Sequence, residues 1–101
     1  MKALLIDTSN NKEIVVGLSI DGKEYLTNHV IDTRKAQVVL PLIETLLKIH
    51  KLALKDLTEI QVNPGPGSFT GLRVGIAIAN TLGFLLNIPV NGKDMVEPVY
   101  K

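Results

Sequence analysis

The pair Asp21-Gly22 stands between two runs of strand character, "EIVVGLSI" (Glu13 to Ile20) and "KEYLTNHVI" (Lys23 to Ile31). In that setting Asp-Gly predicts a two-residue type I′ hairpin, because such a turn needs positive φ at both central residues. The two runs are therefore antiparallel neighbours. Ahead of them, "ALLI" (Ala3 to Ile6) is a short apolar run ending in Asp7-Thr8-Ser9, a buried strand meeting a polar turn. The chain opens as three strands joined by tight turns.

The hydrophobic period then changes. From Arg34 to His50 the residues Val39, Leu42, Ile43, Leu46, Leu47 and Ile49 recur at spacings of three and four, which predicts an amphipathic helix. Pro41 falls inside it and lacks a backbone N–H, so a kink is expected there. "LKDL" (Leu54 to Leu57) reads as a turn, Glu59 to Val62 as a short strand, and Thr70 to Leu86 as a second helix. Asn87 and Pro89 close that helix, and Ile88 to Val90 begin a last strand. The order β-β-β-α-β-α-β predicts an α/β fold, a meander followed by parallel crossovers, with a mixed five-stranded sheet and helices. It fits the ribonuclease-H-like core, which is also half of the actin/Hsp70-like architecture. Residues 1–91 read as a single domain, and residues 92–101, with Pro98 and no clear period, as a loosely ordered tail.

Charge and length narrow the roles. A formal net charge of +1 gives no long-range field to hold nucleic acid or an acidic membrane. There is no cysteine, so disulfide and thiolate chemistry are excluded. The start "MKALLIDTS" has too short an apolar core for a signal peptide. No apolar run approaches the roughly 20 residues of a membrane span, so the expected setting is cytoplasmic, without membrane contact.

The richest stretch is "NPGPGSFTGLRVG" (Asn63 to Gly75). A Walker loop fails, because three residues separate Gly67 from Gly71 and Leu72-Arg73 follows instead of Lys-Ser/Thr. A dinucleotide fingerprint fails because Thr70 occupies the third glycine position. Two readings stay open. Ser68 or Thr70 caps a helix behind a tight turn, or the helix start, with Gly65, Gly67, Ser68 and Thr70 beside Asp7, Thr8 and Ser9, takes an anion or nucleotide. A metal nuclease needs several carboxylates. Asp7 and Glu44 are candidates, but Asn63 stands where a third acid belongs. His29 and His50 are isolated, as surface or satisfied histidines are.

The glycines continue past the loop. Gly71, Gly75, Ala79 and Gly83 recur every four residues, hence on one helix face. Each interior glycine weakens a helix by about 1 kcal/mol relative to alanine, so close packing is implied. The occupant is either the chain's own sheet or another subunit, and a helix apolar almost all round favours a subunit contact.

These residues resemble a known family. "LLIDTS", "LPLIETLL" and "PGPGSFTGLRVGIAIANTLGFLLNIPV" are similar to the bacterial TsaB (YeaZ) proteins over nearly all of Met1 to Val90, and the P-G-P-G-S-F-T-G-L-R segment is highly specific to them. The resemblance implies an actin/Hsp70-like fold. It implies a non-catalytic subunit of the machinery making N6-threonylcarbamoyladenosine next to the anticodon of tRNAs that read codons beginning with A. Its partners would be a TsaD-like subunit, which carries the metal and the transfer step, and a TsaE-like ATPase. Alone it would form a homodimer, and tRNA would be met only indirectly. No cofactor is expected on this chain itself, ATP or ADP entering at the level of the complex. The M22 peptidase or glycoprotease label of some members is not carried over.

The resemblance places the contact surface on the two helices, at Leu42 and Leu46 and at Gly71, Arg73, Gly75, Ile78, Ala79, Leu82 and Gly83. Three departures stand out. The family's second lobe is absent from these 101 residues, Lys35-Ala36 replaces a frequent His-Ser, and Asn63 replaces a frequent Gly. The alternative function is a nucleotide-binding half-domain of an actin/Hsp70-like ATPase fold.

Overall fold

A computed structural model describes residues 1–30 and 35–99, with Lys35 and Ala36 described by their backbone alone. The Asp21-Gly22 turn has φ values of 51° and 89°, both positive as a type I′ turn requires. It joins β2 (Glu13–Ile20) to β3 (Lys23–Val30), with Ile20 opposite Lys23. The expected strand end at Ile31 and helix start at Arg34 lie outside the described residues, as do the side chains of the Lys35-Ala36 departure. β1 (Lys2–Asp7) pairs antiparallel with β2 and parallel with β4 (Glu59–Val62), giving the order β3-β2-β1-β4.

The described sheet has four strands, not the expected five. Ile88 to Val90 runs beside β4 for a single parallel bridge, Ile60 to Val90, with Ile60 N–H donating to Pro89 and Asn91 N–H to Ile60. It goes no further because Asn91 and Gly92, at φ 51° and 76°, turn the chain back so that Val90 pairs with Lys93. The Asn91 side chain replaces the missing rung. Its Oδ1 accepts from Val62 N–H and its Nδ2 donates to the Val62 carbonyl, both at 2.8 Å. Asn91→Ala leaves two polar groups of a buried residue unpaired, at about 1–3 kcal/mol. Thermal unfolding followed by circular dichroism will show a midpoint lower by several degrees. A midpoint equal to that of the natural chain would remove this role.

Both helices cover one face of the sheet. α1 (Lys35–Ile49) packs on β2, and α2 (Phe69–Leu86) on β1 and β4. Leu4, Val16 and Ile60 from the strands meet Ile43, Leu72 and Ala79 from the helices in one core. Pro41 stays inside α1 and deletes the bond its N–H would make to Gln37; Gln37 is exposed, so water can serve that carbonyl. The expected turn at Leu54 is a 3-10 turn over Leu54–Asp56, where Asp56 accepts from Ala53 N–H at 2.8 Å.

Ser68 caps α2, accepting from Gly71 N–H at 3.3 Å. Asn87, left-handed at φ 56°, ends it, as Asn tolerates at helix termini. By length and composition α2 is apolar enough to cross a membrane, with a mean hydropathy of 1.5 over 18 residues, a point the run-length reading did not anticipate. In this fold it lies on the sheet, with Leu72, Ile76 and Ala79 buried. Residues 92–99 have no regular secondary structure but are fastened. Asn80 exchanges two hydrogen bonds with the Val96 backbone, and Val99 N–H donates to Pro64 at 2.7 Å.

Candidate functional site

β1 and β4 are parallel neighbours, so their C-terminal ends leave the sheet at the same edge. Asp7-Thr8-Ser9 therefore lies against the loop from Asn63 to Ser68, in the position where open α/β sheets hold ligands. The candidate anion residues are brought together, and their polar groups are turned toward one another. Asp7 Oδ1 accepts from the Ser9 N–H at 2.9 Å and the Ser9 hydroxyl at 2.6 Å. Asn63 Nδ2 donates to Asp7 Oδ2 at 3.3 Å and to Ser9 Oγ at 3.2 Å. Its Oδ1 accepts from Gly65 N–H at 2.9 Å. Ser68 N–H donates to the Ser9 carbonyl at 2.7 Å. Thr8, almost fully buried, donates its hydroxyl to the Gly71 carbonyl at 2.5 Å. Thr70 stands apart from this network, exposed on α2.

Asn63 is thus the cross-brace between the strand end and the loop, a role that reading it as a missing acid did not find. The signal was present: Asn two residues before a glycine in an N-P-G run is an Asx-turn former. Asn63→Asp removes the donor and sets a second carboxylate beside Asp7. The variant will lose about 1–3 kcal/mol in urea unfolding at neutral pH, and an unchanged midpoint would show that the brace carries no stability.

The small-residue stripe is occupied from within. A Cβ at Gly75 would overlap the Thr8 side chain, and one at Gly67 would come 2.7 Å from both the Cβ and the carbonyl oxygen of Ser9. At Gly83 it would come 2.5 Å from a methyl of Val90. The residues expected at the contact surface divide by where they lie in the chain. Gly71, Gly75, Ala79 and Gly83, with Leu46 on α1, are buried inside the chain because strand ends approach the α2 backbone there. Leu82 is buried, Leu42 and Ile78 are half-buried against the core, and Arg73 is exposed on α2.

What α1 and α2 present outward is a groove between them. Leu40, Phe69, Thr70, Arg73, Val74, Ala77 and Ile78 line about 540 Å³ of it. It adjoins a second hollow of about 330 Å³ lined by Leu40, Ile43, Glu44, Leu47, Leu54 and Leu82. Leu40 and Phe69 are 47% and 55% exposed. The Arg73 guanidinium sits 5.3 Å from the centroid of the Phe69 ring, a cation–π contact one helical turn apart. Sequence reasoning kept Arg73 and Ile78 but missed Leu40, Phe69 and Ala77. The i, i+4 pair Phe69–Arg73 was the available clue.

The carboxylates of a nuclease reading are not assembled. Glu44 lines the helix groove, while Asp7 lines a hollow on the other face of the sheet. His50 packs on Tyr25 with ring centroids 4.4 Å apart, and His29 meets the Thr27 hydroxyl at 3.2 Å. Among the described residues no three His, Cys, Asp or Glu side chains are grouped to hold a metal.

A mixed sheet with both helices on one face and a glycine loop at the parallel strand edge defines one half of an actin-like α/β protein. Residues 29–94 match the family described as TsaD: tRNA N6-adenosine threonylcarbamoyltransferase. The chain is 36% identical to the tRNA threonylcarbamoyladenosine biosynthesis protein TsaB of Bacillus subtilis (strain 168), over 96% of its own length and 42% of that protein. It is 33% identical to the TsaB of Escherichia coli (strain K12), over 91% and 39%. Among solved structures, YeaZ from Pseudomonas aeruginosa superposes with a TM-score of 0.83 at 35% identity, over 88% of this chain and 41% of that one. The chain belongs to the TsaB (YeaZ) family, and it spans about two fifths of the length of these relatives.

Proposed function

We propose that this chain is a docking subunit of the machinery that makes N6-threonylcarbamoyladenosine in tRNA, with no catalysis of its own. It binds a TsaD-like subunit, or a second copy of itself, through the groove between α1 and α2. The observation carrying this reading is that groove. Leu40 and Phe69 are large apolar side chains held at the surface, and of the seven residues lining the upper hollow only Thr70 and Arg73 are polar. An aromatic and an arginine beside an apolar hollow are the residue types that dominate binding energy at protein interfaces. The polar loop at the strand edge supports the same reading, because its hydroxyl, carboxylate and amide groups hold one another. A TsaE-like ATPase and tRNA then join through the assembled complex, in the cytoplasm.

The test is a nuclear magnetic resonance titration of the labelled chain with a TsaD-like subunit. Amide signals of α1 and of residues 69–78 will shift or broaden first. A footprint on β3, or no binding at high micromolar partner, would contradict the assignment.

A further inference from the structure

Of the seven asparagines in the sequence, only Asn91 is followed by glycine. In an Asn-Gly pair the main-chain nitrogen of the glycine attacks the asparagine carboxamide with least hindrance, since the glycine carries no Cβ. The fold holds that carboxamide in place. Asn91 Oδ1 accepts from Val62 N–H and Nδ2 donates to the Val62 carbonyl, both at 2.8 Å. The backbone is held as well: Asn91 N–H donates to Ile60, and Val90 and Lys93 exchange two bonds across the turn, at 2.8 and 2.9 Å. Gly92 N–H, the attacking group, donates to no acceptor among the described residues. Bonds from Asn80 to Val96 and from Val99 to Pro64 fasten the chain that follows.

We propose that Asn91 is a deamidation site gated by its own side-chain clamp, and that its conversion releases the turn from β4 irreversibly. In the reaction a base takes the Gly92 amide proton, the nitrogen bonds to Asn91 Cγ, and the Cγ–Nδ2 bond breaks as ammonia leaves. Water then opens the cyclic imide at one of its two carbonyls. The product is aspartate in the ordinary main chain, or isoaspartate with the chain routed through Cγ. Nδ2 must quit the Val62 carbonyl before ammonia departs, and swinging Cγ toward Gly92 breaks the Oδ1 bond too. The reaction therefore runs from molecules whose turn has opened locally. Reclosure is denied to the product. Aspartate has no N–H for the Val62 carbonyl and sets a carboxylate oxygen against it. Isoaspartate adds a backbone carbon to a turn whose two residues are fixed at φ 51° and 76°.

The test incubates the whole chain in mildly alkaline buffer, with and without urea, and follows each asparagine by peptide mapping and mass spectrometry. Asn91 will convert first of the seven, faster as pH rises, and at least roughly tenfold more slowly in the folded chain than in urea. Val90→Ala cuts back the buried side chain that anchors the turn and leaves both reacting residues intact. It will bring the folded rate toward the rate in urea, whereas Val16→Ala, in the core on β2, will not. The converted chain and Asn91→Asp will both lose hydrogen-exchange protection at Val62 and Lys93 while the amides pairing β1, β2 and β3 keep theirs, which shows that the rest stays folded. The proposal is overturned by equal rates with and without urea, by no conversion of Asn91 in the folded chain, by faster conversion of another asparagine, or by full protection of Val62 in Asn91→Asp.

Discussion

Gly75→Leu will destabilise the protein by about 3 kcal/mol or more, lowering its thermal midpoint well below that of the natural chain. The substitution lies mid-helix, where leucine has the better intrinsic propensity by somewhat under 1 kcal/mol, and a reading of α2 alone would predict a gain. Packing decides the other way. A Cβ at residue 75 already overlaps the Thr8 hydroxyl and lies 3.3 Å from both Thr8 Cβ and Cγ2. Thr8 cannot swing aside, because it is about 1% exposed and its hydroxyl is bonded to the Gly71 carbonyl. Overpacking a tight core costs typically about 1–3 kcal/mol, occasionally more, and three further heavy atoms at this spot place leucine at or above the top of that range. Against a total stability of about 5–15 kcal/mol for a domain, such a loss brings the thermal midpoint down by roughly 4–8 °C for each kcal/mol. Gly75→Ala will show a smaller loss, and combining it with Thr8→Ala will recover part of it. That non-additivity is the signature of direct contact in a double-mutant cycle. If urea unfolding shows Gly75→Leu as stable as the natural chain, β1 and α2 do not meet as described.

This contact also marks how far the sequence could be read. The hairpin was legible because Asp21-Gly22 admits one turn type, and the end of α2 because Asn87 and Pro89 cannot both continue a helix. The spacing of Gly71, Gly75, Ala79 and Gly83 told correctly that something approaches the helix closely. It did not tell what, because periodicity reports a face and not its neighbour. The neighbour is the turn after β1 and the bridge at Val90, long-range partners that no local pattern encodes. The fifth strand was overread for a related reason. "IPV" has strand character, but the turn that stops it depends on Asn91 and Gly92 both taking positive φ, and the missing rung is supplied by a side chain. At the strand edge, Asp7, Ser9 and Ser68 were recognised, while Asn63 was judged for the charge it lacks rather than for its hydrogen bonds.

The same inward turn of the glycine face moves the docking prediction outward, to residues whose alteration leaves the core alone. Ala77 is exposed in the middle of the upper hollow, and arginine is a good helix former there. Ala77→Arg will keep the thermal midpoint of the natural chain while filling the hollow with a cation beside Arg73. We expect association with a TsaD-like subunit to weaken at least a hundredfold in sedimentation or calorimetry, equivalent to about 2.7 kcal/mol. Phe69→Ala will act in the same direction. It truncates the largest apolar side chain at the groove mouth and removes the ring beneath the Arg73 guanidinium, and anchors of this type cost about 2 kcal/mol or more when cut back to alanine. Arg73→Ala separates apolar from charged contributions. If Arg73 meets a carboxylate on the partner, its loss will mainly lower the association rate and flatten the salt dependence. Val30→Ser, on the far strand, will change none of these quantities. Because the groove is the only surface these helix variants share, loss of self-association together with loss of TsaD binding would mean that the two partners compete for one site. Retention of both by Ala77→Arg at natural affinity would remove the groove from the interface altogether.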